Sequence, residues 1–129
     1  MLKLNRVHHI AIICSDYQKS KHFYSEVLGL NIKQEVFREQ RNSYKLDLEV
    51  AGQYQIELFS FPDSPSRPSR PEATGLRHIA FEVDNIDEAV HHIQSNNIFI
   101  EPIRVDEFTG KRFTFFADPD GLPIEFYEK

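Results

Sequence analysis

The chain has 129 residues, 40 % of them hydrophobic and eleven of them Phe, which suits a single globular domain or two small halves sharing a core and excludes a disordered tail. A net charge of −5 gives no general pull towards nucleic acid or anionic membrane, and no apolar run approaches the roughly 18–20 residues of a membrane span. The opening MLKLNRVHHI lacks the apolar stretch of a signal peptide, and the single cysteine, Cys14, cannot form an internal disulfide, so a reducing cytoplasm is the expected location.

In chain order, VHHIAIIC (7–14) is a β-branched, apolar strand that holds Cys14 as an inert buried thiol. Ser15 or Asp16 can cap the helix YQKSKHFYSEVLG, in which Phe23, Tyr24, Val27 and Leu28 recur at helical spacing and Gly29 marks the end. NIKQEVF, NSYKLDLEV and QYQIELFSF read as three antiparallel strands, the last two joined near Ala51-Gly52. PDSPSRPSRPEATG (62–75) has too few apolar residues for an element and reads as a linker. RHIAFEV is the next strand, Asp84 or Asn85 caps the helix IDEAVHHIQSNN, and strands follow near IEPIRV, KRFTFFA and PIEFYE. Thr109-Gly110 and the stretch Asp118 to Gly121 are turn sequences, the latter a hairpin device rather than a metal loop.

The two halves are copies. HIAI at His9 returns as HIAF at His78, and the register holds for about fourteen positions: Cys14 falls on Val83, Asp16 on Asn85, His22 on His91. YQIELF at the end of the first half resembles LPIEFY at the end of the second, which sets Glu57 on Glu125. The expected class is α+β: one domain over 1–129, built from two βαβββ modules (1–61 and 76–129, joined by 62–75) whose mixed sheet curls around a cleft.

Side chains alternate across a strand. His9 therefore sits with Ala11, and His78 with Ala80. Glu57 shares a face with Gln53, Gln55 and Phe59, opposite Tyr54, Ile56 and Leu58; Glu125 shares one with Tyr127. Lys45, Gln55 and Arg112 are expected on the cleft side as substrate-binding residues. Two carboxylates in one enclosed space are costly without a counter-charge, and a divalent cation removes the difficulty. Two imidazoles and two carboxylates suit Zn, Ni, Co, Mn or Fe(II), with His9, Glu57, His78 and Glu125 as ligands and about two coordination positions left for a small oxygenated substrate. Such an ion would act as a Lewis acid on an enediolate, with Glu57 or Glu125 as the base. Against this stands the plain alternative for each residue alone: a satisfied core histidine, a solvated glutamate. His8 reads as structural, and Arg67 and Arg70 as a solvated loop or as a grip on an anionic substrate.

HIAIICSDYQKSKHFYSEVLGL, GLRHIAFEVDNIDEA and FADPDGLPIEFYE together resemble the vicinal oxygen chelate superfamily, which includes glyoxalase I, fosfomycin-resistance proteins and extradiol dioxygenases, and the resemblance spans nearly the whole chain. Within it the chain is similar to bacterial glyoxalase-like proteins that share ELFSFP and RPSRPEA. The resemblance implies paired βαβββ modules, metal ligands His9, Glu57, His78 and Glu125, a small-molecule substrate, a homodimer, and glyoxalase I-like lyase or isomerase chemistry. Ile13 and Phe61 stand where glutathione-using members carry arginine and asparagine, which weighs against glutathione itself. The alternatives are thiol transfer to an antibiotic, oxygen-dependent cleavage, or small-molecule binding without catalysis.

Overall fold

The computed structural model describes residues 1–129, which divide into two compact units, Met1–Ser66 and Arg67–Lys129. The first runs β1 (Ile10–Cys14), α1 (Tyr17–His22), β2 (Asn31–Arg38), β3 (Ser43–Val50) and β4 (Gln53–Ser60). The second repeats the order with β5 (Ile79–Val83), α2 (Ile86–Ser95), β6 (Arg104–Val105), β7 (Arg112–Ala117) and β8 (Pro123–Glu128). Each unit has its own four-stranded mixed sheet, β1-β4-β3-β2 in one and β5-β8-β7-β6 in the other. The first strand of each lies parallel to the last; the remaining pairs are antiparallel. No helix is long and apolar enough to cross a membrane.

The duplication extends to the caps. The Asp16 side chain accepts a hydrogen bond from the Lys19 amide at 3.2 Å, and Asn85 accepts one from the Glu88 amide at 3.0 Å. Each satisfies one of the unpaired amides at a helix start. The expected long helix after Asp16 is instead α1 followed by a wide turn, Phe23–Val27, in which the Leu28 amide bonds the Phe23 carbonyl at 2.9 Å. The extra residue per turn lets the adjacent rings of Phe23 and Tyr24 both point inward, and both are buried. The strand expected near IEPIRV shrinks to Arg104–Val105, because Pro102 has no amide for a ladder. Glu101 still joins β7: its amide bonds the Phe115 carbonyl and its carbonyl accepts from Thr114 Oγ1. The Asp118 turn is a closed hairpin device, its carboxylate accepting from the amides of Asp120 and Leu122, both at 2.9 Å. Gly121, at φ +85°, takes the left-handed conformation the turn requires.

One face of each sheet is apolar. In the first unit Leu46, Leu48, Ile56 and Leu58 are buried with Tyr24; in the second Ile124, Phe126 and Phe116 are buried with Ile86 and Ile93 of α2. Each such side chain contributes about 1.5–3 kcal/mol of transfer free energy.

A polar clasp fixes α1 to β2. Lys21 Nζ lies 2.8 Å from Glu35 Oε2, and the Tyr17 hydroxyl donates to the same oxygen while its ring stacks on Tyr44. Burial, then the Glu35 carboxylate, pushes the Tyr17 phenol up; the Lys21 hydrogen bond, then that of Tyr17, holds the Glu35 carboxyl below its ordinary 4.5. A carboxyl depressed by folding stabilises the protein above its unfolded pKa and loses that contribution as pH falls through the folded one. Glu35→Gln should therefore flatten the decline of Tm below pH 4.5. The side chain is 35 % exposed, so solvent screening limits the difference to about 1 kcal/mol or less. Thermal melts of both proteins from neutrality down to about pH 3 check this; parallel declines would refute it.

Candidate metal half-sites

Each unit brings one histidine and one glutamate together. In the first, Ala11 of β1 pairs with Glu57 of β4, and His9, two residues before Ala11, shares its side of the strand. His9 Nε2 lies 3.5 Å from Glu57 Oε2. In the second, Ala80 pairs with Glu125, and His78 Nε2 lies 3.2 Å from Glu125 Oε1. The alanines leave the imidazoles room to reach across. Neither unit by itself gathers three metal-ligating side chains.

The second ring nitrogens are also engaged. His9 Nδ1 is 2.9 Å from His8 Nδ1, so one ring donates to the other and His8 orients its neighbour. Arg77 Nη1 is 3.1 Å from His78 Nδ1. A guanidinium only donates, so in this contact His78 Nδ1 accepts and the neutral ring carries its hydrogen on Nε2, directed at Glu125; ligation of a cation by Nε2 would move that hydrogen to Nδ1 and break the Arg77 contact.

The surroundings of the two pairs differ. Asp47 of β3 stands opposite Glu57, and Lys45 Nζ lies 2.6 Å from Asp47 Oδ1 and 3.9 Å from Glu57 Oε2. Lys45 thus stands beside Glu57 while its ammonium is engaged mainly by Asp47. Opposite Glu125 is Phe115, whose ring meets His78 edge-on at 5.1 Å. One carboxylate has an ion pair for a neighbour, the other an aromatic wall.

Two strand-face expectations are corrected. Register passes from Leu48↔Ile56 to Glu49↔Tyr54, so β4 carries a bulge with Gln55 as the extra residue. The bulge turns Tyr54 to the side of Glu57, where its ring lies parallel to His9 at 6.0 Å and edge-on to His8 at 5.4 Å. The Gln55 amide is occupied by Gln53 Oε1 at 3.3 Å. Arg112 lies on the opposite face from Glu125. It grips Glu128 through Nε and Nη2 (2.9 and 2.8 Å) and reaches Asp87 of α2 at 3.2 Å. Glu128, then Asp87, holds the guanidinium above its ordinary range, and Arg112 in turn holds the Glu128 carboxyl below its own. Arg112 ties the helix to the sheet; it does not face His78. Tyr54, Phe115 and Arg77 are the neighbours that sequence reasoning missed. Phe115 alone had a signal, two residues from Phe113 on one strand face.

The chain also resembles known proteins along its length. The family model described as the Glyoxalase/Bleomycin resistance protein/Dioxygenase superfamily matches residues 6–126. Uncharacterized protein YaeR of Escherichia coli (strain K12) is 63 % identical over 129 residues, covering 100 % of both chains. The crystal structure of a glyoxalase family protein from Enterococcus faecalis superposes with a TM-score of 0.88 at 49 % identity, covering 95 % of this chain and 97 % of that one. Mitochondrial methylmalonyl-CoA epimerase of Mus musculus is 31 % identical over 100 residues, 74 % of this chain and 56 % of the epimerase. Other relatives bear the names lactoylglutathione lyase and metallothiol transferase. With a full-length family match and two units each built as strand, helix and three strands, the chain belongs to the Glyoxalase/Bleomycin resistance protein/Dioxygenase superfamily.

Proposed function

We propose that His9, Glu57, His78 and Glu125 together hold one divalent cation, Zn, Ni, Co, Mn or Fe(II), and that the protein is a glyoxalase I-like lyase or isomerase acting on a small oxygenated molecule. The observation that carries this reading is the matched spacing of donor atoms. Two ligands about 2.0–2.2 Å from one ion stand roughly 3.0–3.5 Å apart at octahedral or tetrahedral angles. The His–Glu separations of 3.5 and 3.2 Å fall in or at the edge of that range in both units, at duplicated positions. The donor set is nitrogen and oxygen with no thiolate, which suits an ion with open positions rather than a structural knot.

When bound, such a cation supplies Lewis-acid stabilisation for negative charge developing on a substrate oxygen. The chain's own residues do the rest. His8 orients the His9 imidazole, and Arg77 stands beside that of His78. Tyr54 and Phe115 wall the two histidines. Glu57 or Glu125 takes a proton from the carbon next to a substrate carbonyl and returns it elsewhere on the same molecule. Relatives named as an epimerase and a lyase support proton transfer at carbon as the shared step.

Elemental analysis tests the reading. Protein dialysed against each ion and then freed of excess should retain one equivalent per chain, a ratio that a homodimer exchanging its units would preserve. No retained ion, or two equivalents per chain, would overturn it.

A further inference from the structure

The second unit contains a cavity of about 670 Å³, a size suited to a small ligand. Four arginines line it, Arg67, Arg70, Arg77 and Arg104, against two carboxylates, Glu72 and Glu101. Two positive charges are thus in excess there, although the chain as a whole carries −5.

The four guanidiniums are not equivalent. Arg67 is consumed by the fold: it donates to the carbonyls of Leu76 (2.6 Å) and Arg77 (3.1 Å) and to Ser69 Oγ (2.8 Å), while Ser69 donates to the Gly121 carbonyl at 3.0 Å. These bonds strap the Pro- and Arg-rich segment onto the rim, so the segment expected to be a linker is instead one wall of the cavity. Arg77 spans Glu72 at 2.6 Å and His78 at 3.1 Å. Arg104 lies over the rings of Phe113 and Phe115 at 4.9 and 5.9 Å and has only a long 3.4 Å contact to Glu101. Arg70 is exposed and has no hydrogen-bond or ion-pair partner. Stacking leaves the edge of a guanidinium free for a planar fork of hydrogen bonds, the form of contact that phosphate oxygens accept.

We propose that this cavity binds a dianionic phosphate monoester group through Arg70, Arg77 and Arg104. Two uncompensated charges and several forked donors match a dianion with three terminal oxygens better than a single carboxylate. Phe115, which lines the cavity and touches His78, and Arg77, which touches the same ring, place the bound group beside the His78–Glu125 pair. The assignment of that group to the substrate rests on the proposed metal-dependent reaction; the binding of phosphate does not.

The test uses chelator-treated full-length protein at low ionic strength, titrated with inorganic phosphate and with glycerol phosphate and followed by calorimetry. Both should bind saturably without metal, glycerol phosphate more tightly. Arg104→Gln and Arg70→Gln should each weaken binding about tenfold, the loss of a charge-assisted contact. Arg41→Gln, a surface arginine of the first unit, should leave it unchanged. Arg70 has no partner to lose, so its variant folds like the parent. Absence of saturable binding, equal weakening by Arg41→Gln, or undiminished binding by both cavity variants would overturn the site. Equal affinity for the two ligands would overturn the substrate assignment. Phosphate binding that appears only after metal is added would overturn the cavity and leave the metal reading standing; phosphate binding by protein that retains no metal would do the reverse.

Discussion

His78→Ala in the second unit should abolish metal-dependent stabilisation as fully as His9→Ala in the first. The argument rests on pooling. Each unit offers one imidazole and one carboxylate at ligand spacing, and neither gathers a third donor of its own. Two ligands make a weak site; four on one ion make a strong one. An ion present at about a hundred times its Kd stabilises the folded state by roughly 2.7 kcal/mol. Even an outer partner of a ligand is worth 10–100-fold in affinity, so loss of a ligand itself costs about two decades or more. At the same metal concentration the variant would then gain only about 0.4 kcal/mol. Thermal melts with and without Zn, Ni or Mn should therefore show a large shift for the parent and almost none for either single variant. If the pairs served separate ions, each variant would keep the other pair's response. That result would break the pooled site while leaving the fold and the family untouched.

The pairing of His9 with Glu57 and of His78 with Glu125 was legible because the chain writes the same context twice. A strand entered through a histidine two places before an alanine and a last strand with a glutamate near its middle need only parallel pairing to meet. Ala11↔Glu57 and Ala80↔Glu125 supply it. The caps were legible as well, narrowed by the structure to Asp16 and Asn85, which are themselves duplicates. What could not be read depends on tertiary detail. A bulge at Gln55 is one residue of backbone slack with no sequence mark, yet it carries Tyr54 across the sheet. Aromatic residues occupy both faces of β7, so alternation there does not say which side is buried, and Arg112 lies on the face opposite the one its strand position suggests. The strap that closes the arginine-lined cavity is made of side-chain bonds to carbonyls, Arg67 to Leu76 and Ser69 to Gly121. Composition reports such a segment only as polar and Pro-rich.

Whichever of Glu57→Gln and Glu125→Gln removes the base should suppress turnover by about 10²–10⁴-fold, the usual share of a general base, while both variants keep the fold. Glutamine keeps the shape of the side chain and one oxygen that can ligate, but it cannot accept a proton at a carboxylate oxygen. The environments of the two residues give the substitutions different structural consequences. Glu57→Gln leaves Lys45 with Asp47, its 2.6 Å partner, so the ion pair beside the site persists. Glu125→Gln removes a charge from a place walled by Phe115 and keeps an oxygen at the position 3.2 Å from His78 Nε2. Neither change opens a cavity, and Tm should move by little. A readout that needs no knowledge of the natural substrate is exchange of the hydrogen next to the carbonyl of small α-hydroxycarbonyl compounds in heavy water, followed by proton NMR. The parent protein with metal should wash that hydrogen out, and the variant lacking the base should not, even where it still retains one ion per chain. That combination, metal kept and exchange lost, identifies which glutamate moves the proton. If both variants exchange at the parent's rate, proton transfer by these carboxylates is excluded, whatever ion the histidines hold.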